Sequence, residues 1–349
     1  MIESLANAVG LEASNPQFWL PLLFLALLVV VVLAGMLLDG FDLGVGSLSL
    51  VAPEKLQPRM LSLLNPWRDA NEYWLLLALT LFACAFPNAW GAILSELYLP
   101  LMGLGLGVML RMASYELRLR SPDTLQHFWL VAFGVGSLIT AFVHGVLLAK
   151  IVSGFATGVG YFWFAVFMGC CAMAGYMLLG ASWLIMREAG ELRARAVRWA
   201  SRSIRWFAAG VIGASVVLAL ANPGILLKWS EGINRWWLLM LWAGVLASFI
   251  SIEICLQRMI NSSYRTTALP FVLTVFVLIV VLSGLVYSFF PFLVLDELTV
   301  WDGAASQAVL WNLIAILSVC LPVLVLFNVR VYWGMVGLSK PPLPPRFKG

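Results

Sequence analysis

Apolar runs of about 20 residues recur along the whole chain, and they constrain its fold more than any other feature. The first run, from Phe18 to Leu37, reads FWLPLLFLALLVVVVLAGML. A helix rises 1.5 Å per residue, so about 20 apolar residues cross the roughly 30 Å of hydrocarbon in a bilayer. The 349 residues are 62% hydrophobic and only 11% charged, against about 25% charged in soluble domains. The sequence therefore predicts an all-α, polytopic membrane helical bundle.

The apolar runs predict about nine transmembrane helices. They cover residues 18–50, 72–90, 92–111, 127–151, 159–186, 206–227, 236–257, 268–292 and 307–332. The first run is longer than a membrane requires, so we expect its end to lie at or beyond the lipid headgroups. Residues 1–334 are predicted to form a single transmembrane domain. The Pro-rich cytoplasmic tail, residues 335–349, is predicted to be disordered because it is too short and polar to fold.

The positions of Lys and Arg predict the orientation of the chain. With the N-terminus outside, 18 of the 21 basic residues fall on the inner side, and the other three are Lys150, Lys228 and Arg235. Cytoplasmic loops carry an excess of Lys and Arg, so we expect the N-terminus outside and the C-terminus in the cytoplasm. The net charge of +4 comes from these loops and does not indicate a nucleic-acid partner.

Two features of the basic residues on the inner side are informative, the position of Arg111 and a dense group of arginines. Arg111 is expected at the inner end of the third span. The six arginines from Arg187 to Arg205 lie in a segment with helical charge spacing, since Glu191 and Arg195 are four residues apart. We interpret this segment as a helical extension at the inner surface that touches anionic lipid headgroups.

Acidic residues stand between apolar runs at two consecutive places. The segment LDGFDLGVGSL contains Asp39 and Asp42, which are three residues apart and so share a helical face. The second span opens on the same side with NPWRDANEYWLLL, which brings Asp69 and Glu72. Intramembrane carboxyl groups are costly and mostly functional, so the pattern indicates uptake of protons or cations from the cytoplasm. The structural alternative is that Asp69 caps the second helix and Glu72 completes a capping box.

Metal and cofactor ligands are scarce in the sequence. His127 lies at a loop boundary. His144, in AFVHGVLLAK, either ligates a haem or makes a hydrogen bond between helices. The five Cys lie in apolar runs and form no C-x-x-C pair, which is typical of packing residues. Two His cannot supply several haems with ligands, so no cofactor-binding or metal-binding residue is predicted in this chain.

Five segments resemble, in order, the successive motifs of subunit II of the cytochrome bd-type quinol oxidases. They are LDGFDLGVGSL, PWRDANEYWL followed by LFACAFPNAW, RMASYELRLR, GASWLIMREAGELRAR and LTVWDGAASQAVLWN. The resemblance implies a complex of the bacterial inner membrane that oxidises quinol and reduces O₂ to water. It also implies that haem b and haem d lie in a partner, subunit I. Quinone, membrane lipid and small single-helix subunits are the further partners that it suggests.

The resemblance also implies roles for individual residues. It carries proton uptake onto Asp39, Asp42 and Asp69, with Asn71 and Trp74 beside them. The chain departs from the family pattern at Arg68, which stands between a Trp and Asp69, and at Ala70, where the family has Gly.

The segment with Trp301 and Asp302 also matches a family motif. From the residues alone, we interpret it as a cap that opens the ninth helix.

Two other classes of protein remain open. A cation-coupled secondary transporter could use the same acidic groups, and it would be favoured by inverted repeats or Gly/Pro-broken helix pairs, which the sequence does not show convincingly. A purely structural membrane subunit would tolerate Asp39→Asn and Asp69→Asn without loss of turnover.

Overall fold

The computed structural model describes residues 3, 6–7, 10–64, 68–261 and 267–337, with side chains for all of these except 68–70 and 331–337. Nearly all of this part of the chain is helical. The longer elements are α1 Pro16–Ser49, α2 Gln57–Ser62, α3 Arg68–Ala85, α4 Pro87–Arg120, α5 Asp123–Val152, α6 Val159–Arg187, α7 Gly190–Ala221, α8 Pro223–Ser230, α9 Asn234–Asn261 and α10 Leu269–Phe289. A hairpin of β1 Phe292–Val294 and β2 Leu298–Thr299 follows, then α11 Val300–Gly303 and α12 Gln307–Gly337.

The predicted membrane bundle of about nine helices is confirmed. Eight of the described helices have the length and composition to cross a membrane, namely α1, α4, α5, α6, α7, α9, α10 and α12. The ninth, α3, is shorter, with an apolar stretch over Asn71–Ala85. The helix boundaries differ from the predicted ones where polar residues continue a helix beyond the hydrocarbon. Thus α7 begins at Gly190 and includes the arginine-rich segment, while α4 runs on to Arg120. The predicted disordered tail lies mostly beyond Gly337, outside the described residues.

The alternating helix directions define two ends of the bundle. At the acidic end, α1 ends, α3 begins, α4 ends and α7 begins. At the opposite, hairpin end, α1 begins, α3 passes into α4 through the single residue Phe86, and the β-hairpin and α11 lie. Helices of 28 to 34 residues span about 42 to 51 Å, more than the hydrocarbon thickness, so their ends extend into or beyond the headgroup layer.

The glycines of LDGFDLGVGSL explain how the acidic half of α1 packs. Gly44 touches the carbonyl of Tyr176 in α6, and a Cβ there would overlap that oxygen and lie 2.8 Å from the Gly180 nitrogen. A Cβ on Gly180 would in turn lie 2.5 Å from the nitrogen of Val45. Small residues allow helix backbones to approach this closely inside membranes. As a result, every residue from Asp39 to Ser49 is buried, and the end of α1 is enclosed by protein, where the sequence predicted headgroups.

Beside the start of α1, the hairpin end is closed by neutral hydrogen bonds and ring contacts, and nearby Lys228 donates to the Phe290 carbonyl at 2.7 Å. Trp301 in α11 donates its indole N–H to the Phe18 carbonyl (2.9 Å) and stacks on the Phe18 ring. Asn88 of α4 donates to the Asp302 carbonyl (2.9 Å). Asp302 forms a capping box with Thr299, which opens the four-residue helix α11. The prediction that this segment caps the ninth helix is therefore wrong, because that helix, α12, begins only at Gln307.

Candidate functional site

A buried cluster of three carboxyl groups and one guanidinium joins α1, α3 and α4. Arg111 of α4 donates from Nη2 to Asp39 Oδ1 of α1 at 2.6 Å. The same nitrogen lies 2.8 Å from Glu72 Oε1 of α3. Arg111 is 0% exposed, and Asp39 and Glu72 are 3% and 4% exposed. One cation thus holds two carboxylates from different helices away from solvent.

The third carboxyl group has a neutral partner. Asn71 of α3 donates from Nδ2 to Asp42 Oδ2 at 2.8 Å, and both side chains are buried. Because Asn71 and Glu72 are consecutive, the first turns of α3 contact Asp42 directly and are joined to Asp39 through Arg111. The structure therefore brings together three of the four predicted site residues, Asp39, Asp42 and Glu72. The side chain of the fourth, Asp69, lies outside the described residues.

Close packing of α4 on α5 positions Arg111. A Cβ on Gly136 of α5 would lie 2.8 Å from the Arg111 backbone nitrogen and 2.9 Å from the Gly107 carbonyl. A Cβ on Gly107 would lie 2.6 Å from Thr140 Oγ1. The two glycines let α5 support the backbone of α4 at this level, so the long arginine side chain is directed toward α1 and α3.

The sequence placed Arg111 wrongly, at the inner end of the third span. In the structure it lies nine residues before the end of α4, about 14 Å inside the acidic end. Asp39 is ten residues from the end of α1, also deeper than the helix mouth that was predicted. One signal could have revealed Arg111. Buried carboxylates need a cation, and an arginine seven residues before the next basic residue in a continuous helical pattern is a natural candidate.

A second polar pair lies beyond the acidic cluster. The Tyr176 hydroxyl of α6 lies 3.1 Å from His144 Nδ1 of α5, so the predicted hydrogen bond between helices exists. Asp39, His144 and Tyr176 line one cavity of about 280 Å³, whose walls are otherwise almost entirely apolar. His127, by contrast, is exposed near the start of α5. Within the described ranges, no group of three or more His, Cys, Asp or Glu could hold a metal ion.

The charges of the acidic cluster are unequal in number. Arg111 is the one cation that the described residues place against the cluster, and it contacts two carboxylates. An isolated buried charge is strongly disfavoured, and buried groups neutralise where they can. Arg111 stays charged, since an arginine does not lose its proton in proteins, so the groups of this cluster whose chemistry allows them to carry a proton are its carboxyls.

Long apolar helices that enclose buried ion pairs are typical of a multi-pass membrane protein. Residues 20–335 match the family model described as cytochrome bd terminal oxidase subunit II. The chain belongs to that family, and it is a subunit of a cytochrome bd quinol oxidase.

Curated relatives and a solved structure agree with this assignment. The chain is 24% identical to cytochrome bd-I ubiquinol oxidase subunit 2 of Escherichia coli K12, over 89% of this chain and 93% of the relative. It is 37% identical to cytochrome bd ubiquinol oxidase subunit 2 of Bacillus subtilis, over 37% of this chain and 39% of that protein. The bd oxidase structure from Geobacillus thermodenitrificans aligns with a TM-score of 0.75 at 15% identity, covering 92% of this chain and 99% of the other. At that identity the match shows the fold.

Proposed function

We propose that this chain takes up protons for its oxidase through Asp39, Asp42, Asp69 and Glu72, and passes them toward an oxygen-reducing haem in a partner, subunit I. The observation that carries the proposal is the bridging of Asp39 and Glu72 by Arg111 inside the bundle. Such a site is expensive to build and contributes little to stability by itself. Intramembrane carboxyl groups of this kind usually mark ion or proton pathways.

The positions of the polar groups suggest an order along the route. Asp42 lies nearer the acidic end of α1, where Asn71 contacts it. Glu72 and Asp39 follow deeper, since both contact the same nitrogen of Arg111. Asp39 also shares its cavity with His144 and Tyr176. In this proposal, Arg111 and Asn71 are positioning residues, because each holds a carboxyl group by a hydrogen bond and neither carries the proton.

The proposed direction of proton uptake follows from the distribution of Lys and Arg between the two ends of the bundle. The acidic end carries most of the Lys and Arg of the chain, so by the positive-inside rule it faces the cytoplasm of a bacterial inner membrane. Arg111 is buried inside the bundle, so it does not count among the basic residues on the surface of the acidic end. The acidic end still carries most of the Lys and Arg without it. Reporter fusions at Gly158 and Ser262 should report outside and inside, respectively, and the reverse pattern would overturn the direction of proton uptake.

Haem b and haem d belong to the partner in this proposal, and quinol is the substrate of the complex. His144 Nδ1 already faces the Tyr176 hydroxyl, and the other histidine lies on the surface, which supports a chain without haem. Expressed alone, the chain should be free of haem and unable to oxidise quinol. Stoichiometric haem on the isolated chain, lost on His144→Ala, would contradict this division of labour.

The decisive experiment measures quinol-driven O₂ consumption by the complex carrying one neutral variant at a time. Asp69→Asn should lower turnover at least tenfold, with Asp39→Asn and Asp42→Asn close behind, and Glu72→Gln tested alongside. The optical spectrum of the haems should stay unchanged. Glu116→Gln is the matched control, because Glu116 is an exposed carboxylate on α4 paired with Arg120, and it should leave turnover unchanged.

The same experiment separates the alternatives. Normal turnover in all four variants would support a purely structural subunit, in which the cluster serves only to pair charges between helices. A cation-coupled transporter would instead show transport by the chain without its haem-bearing partner, and loss of that transport in the Asp39→Asn variant.

A further inference from the structure

The arginine-rich part of α7 presents one exposed basic stripe that the proton pathway does not use. The arginine stripe consists of Arg198, Arg202 and Arg205, at helical positions i, i+4 and i+7, and all three side chains are exposed. That spacing aligns side chains on one face of a helix, over about 10 Å of helix length. The remaining arginines within α7, Arg193 and Arg195, point elsewhere and are partly buried.

The stripe is poor in acidic partners. Arg195, off the stripe, is paired with Glu191 at 3.0 Å. Arg205 comes within only 3.9 Å of Glu253 on the neighbouring helix α9, and Gln257 already donates to that carboxylate at 2.9 Å. Across the part of the chain that the structure describes, neither Arg198 nor Arg202 has a carboxylate within 4.0 Å. The guanidinium groups of Arg198 and Arg202 thus lie side by side on the surface, and their N–H donors are available to an anion.

The face of α7 changes character directly after the arginines. Trp206 is 55% exposed, and indole rings of this kind sit at the membrane–water interface. The exposed positions then become apolar, with Ile212, Val216 and Leu220 in succession. Beside them, α9 exposes Ile250 and Ile254 around Glu253. The surface therefore passes from basic to aromatic to apolar within a few turns.

This order matches the order of groups in a phospholipid. Ile212 lies ten residues beyond Arg202, about 15 Å along the helix axis, and one leaflet contributes about half of the roughly 30 Å of hydrocarbon. An acyl chain from a phosphate at Arg202 would thus run beside Trp206 and end near Ile212. Guanidinium groups bind phosphate oxygens with paired hydrogen bonds.

We propose that the arginine stripe and the apolar face beyond it form a binding site for one anionic glycerophospholipid, in the leaflet at the acidic end. The phosphate bonds Arg198 and Arg202, Arg205 adds positive potential, and the acyl chains cover the α7–α9 surface. The site is independent of the acidic cluster, so its failure would leave the proposed proton uptake untouched.

The test uses the purified oxidase complex, stripped of lipid in detergent and titrated with phosphatidylglycerol or phosphatidylcholine of identical acyl chains, with bound lipid counted by native mass spectrometry. The complex should bind one phosphatidylglycerol at least tenfold more tightly than phosphatidylcholine. Raising the salt concentration should weaken the binding. The double variant Arg198→Gln/Arg202→Gln should lose roughly thirtyfold in affinity, as expected for two surface arginines.

The matched control is Arg120→Gln/Arg195→Gln, which removes the same charge from the same end of the bundle. Both of these arginines already face a carboxylate four residues earlier, so the affinity should change less than threefold. Arg198→Lys/Arg202→Lys keeps the charge without the guanidinium fork and should fall between the wild type and the glutamine variant.

Equal affinity of the unaltered complex for the two lipids overturns the proposal, and this arm requires no variant to fold. Equal losses in the two glutamine double variants would also overturn it, because the binding would then reflect general charge. Retention of tight phosphatidylglycerol binding in Arg198→Gln/Arg202→Gln would place the lipid elsewhere.

Discussion

The two ends of α1 bury polar groups in different ways. At the hairpin end, the Phe18 carbonyl accepts a hydrogen bond from the Trp301 indole, and neutral groups satisfy one another. At the acidic end, Asp39 is ion-paired with Arg111, and Asp42 is bonded to Asn71. A neutral hydrogen bond contributes about 1 kcal/mol net, whereas a buried ion pair often contributes less than the apolar residues that could replace it.

The way in which polar groups are buried leads to a different expectation for each end of α1. Around Phe18 and Trp301, the start of α1 is held by a neutral hydrogen bond and a ring contact, which are sufficient to close the bundle there. The acidic end keeps ionisable groups at a depth where they are costly, and the proposed proton uptake would account for that cost. If this comparison is right, changes at the acidic end should affect turnover more than folding contacts explain, and changes at the hairpin end should affect stability alone.

Arg111→Leu should have the largest effect. It leaves Asp39 and Glu72 buried without their shared cation, which costs about 3–5 kcal/mol, so we expect little assembled complex. The measurement is the yield of haem-containing complex after purification. Arg120→Leu, a control on an arginine at the exposed end of the same helix, should give normal yield.

A triple variant sharpens this result. Adding Asp39→Asn and Glu72→Gln to Arg111→Leu removes the orphaned charges, so assembly should recover while turnover stays at least tenfold low. Recovery of turnover together with assembly would mean that the cluster is only a structural ion pair.

Asn71→Leu should have the next largest effect. It removes the donor to Asp42, and a hydrogen bond to a charged group is worth about 1.5–3 kcal/mol. The complex should assemble with a lower melting temperature, followed by haem absorbance, and its turnover should fall severalfold. Asn71→Gln, which keeps an amide donor, should recover part of the turnover, and equal turnover in both variants would show that Asn71 does not position Asp42.

Trp301→Phe tests the hairpin end. The ring contact with Phe18 can persist, but the carbonyl of Phe18 loses its donor, at a cost of about 1 kcal/mol. We expect a small decrease in melting temperature and turnover within twofold of the wild type. A tenfold loss of turnover with intact haems would remove the distinction between the two ends.

The smallest effect is expected for Asp302→Ala. Loss of a helix cap costs about 0.5–2 kcal/mol, and here the capped helix has only four residues, so the lower value applies. Thermal unfolding of the complex should detect it, and O₂ consumption should not. Thr299→Ala removes the other half of the capping box and should give the same small change.

Much of the fold could be predicted because each membrane-spanning helix is encoded by a single continuous run of apolar residues. Each span is evident over about 20 residues, and the grouping of Asp39, Asp42 and Glu72 followed from the opposite directions of the first two spans. What could not be predicted is pairing over long sequence distances. Asp39 and Arg111 are 72 residues apart, and a helical pattern around Arg111 does not report which carboxylates its side chain meets.

The depth of the site was also beyond the sequence. Hydropathy shows where apolar residues stop, but α1 continues for ten residues after Asp39 because α6 shelters it. The part of α1 after Asp39 is surrounded by other helices and not by lipid, so its polar residues do not have to lie in the headgroup layer. His144 illustrates the same limit, since its hydrogen bond to Tyr176 depends on how α5 and α6 are rotated.

The contact of Gly44 with Tyr176 and of Gly180 with Val45 has a kinetic consequence. Two backbones in direct contact cannot slide past each other without separating, so α1 and α6 form a fixed wall along the acidic residues. Collective helix shifts take microseconds to milliseconds, whereas side-chain rotations take picoseconds to nanoseconds when unobstructed. On the proposed route, protons would therefore pass Asp39 and Asp42 by rotation of carboxyl groups against a stationary backbone, at a rate set by the breaking of their contacts with Arg111 and Asn71.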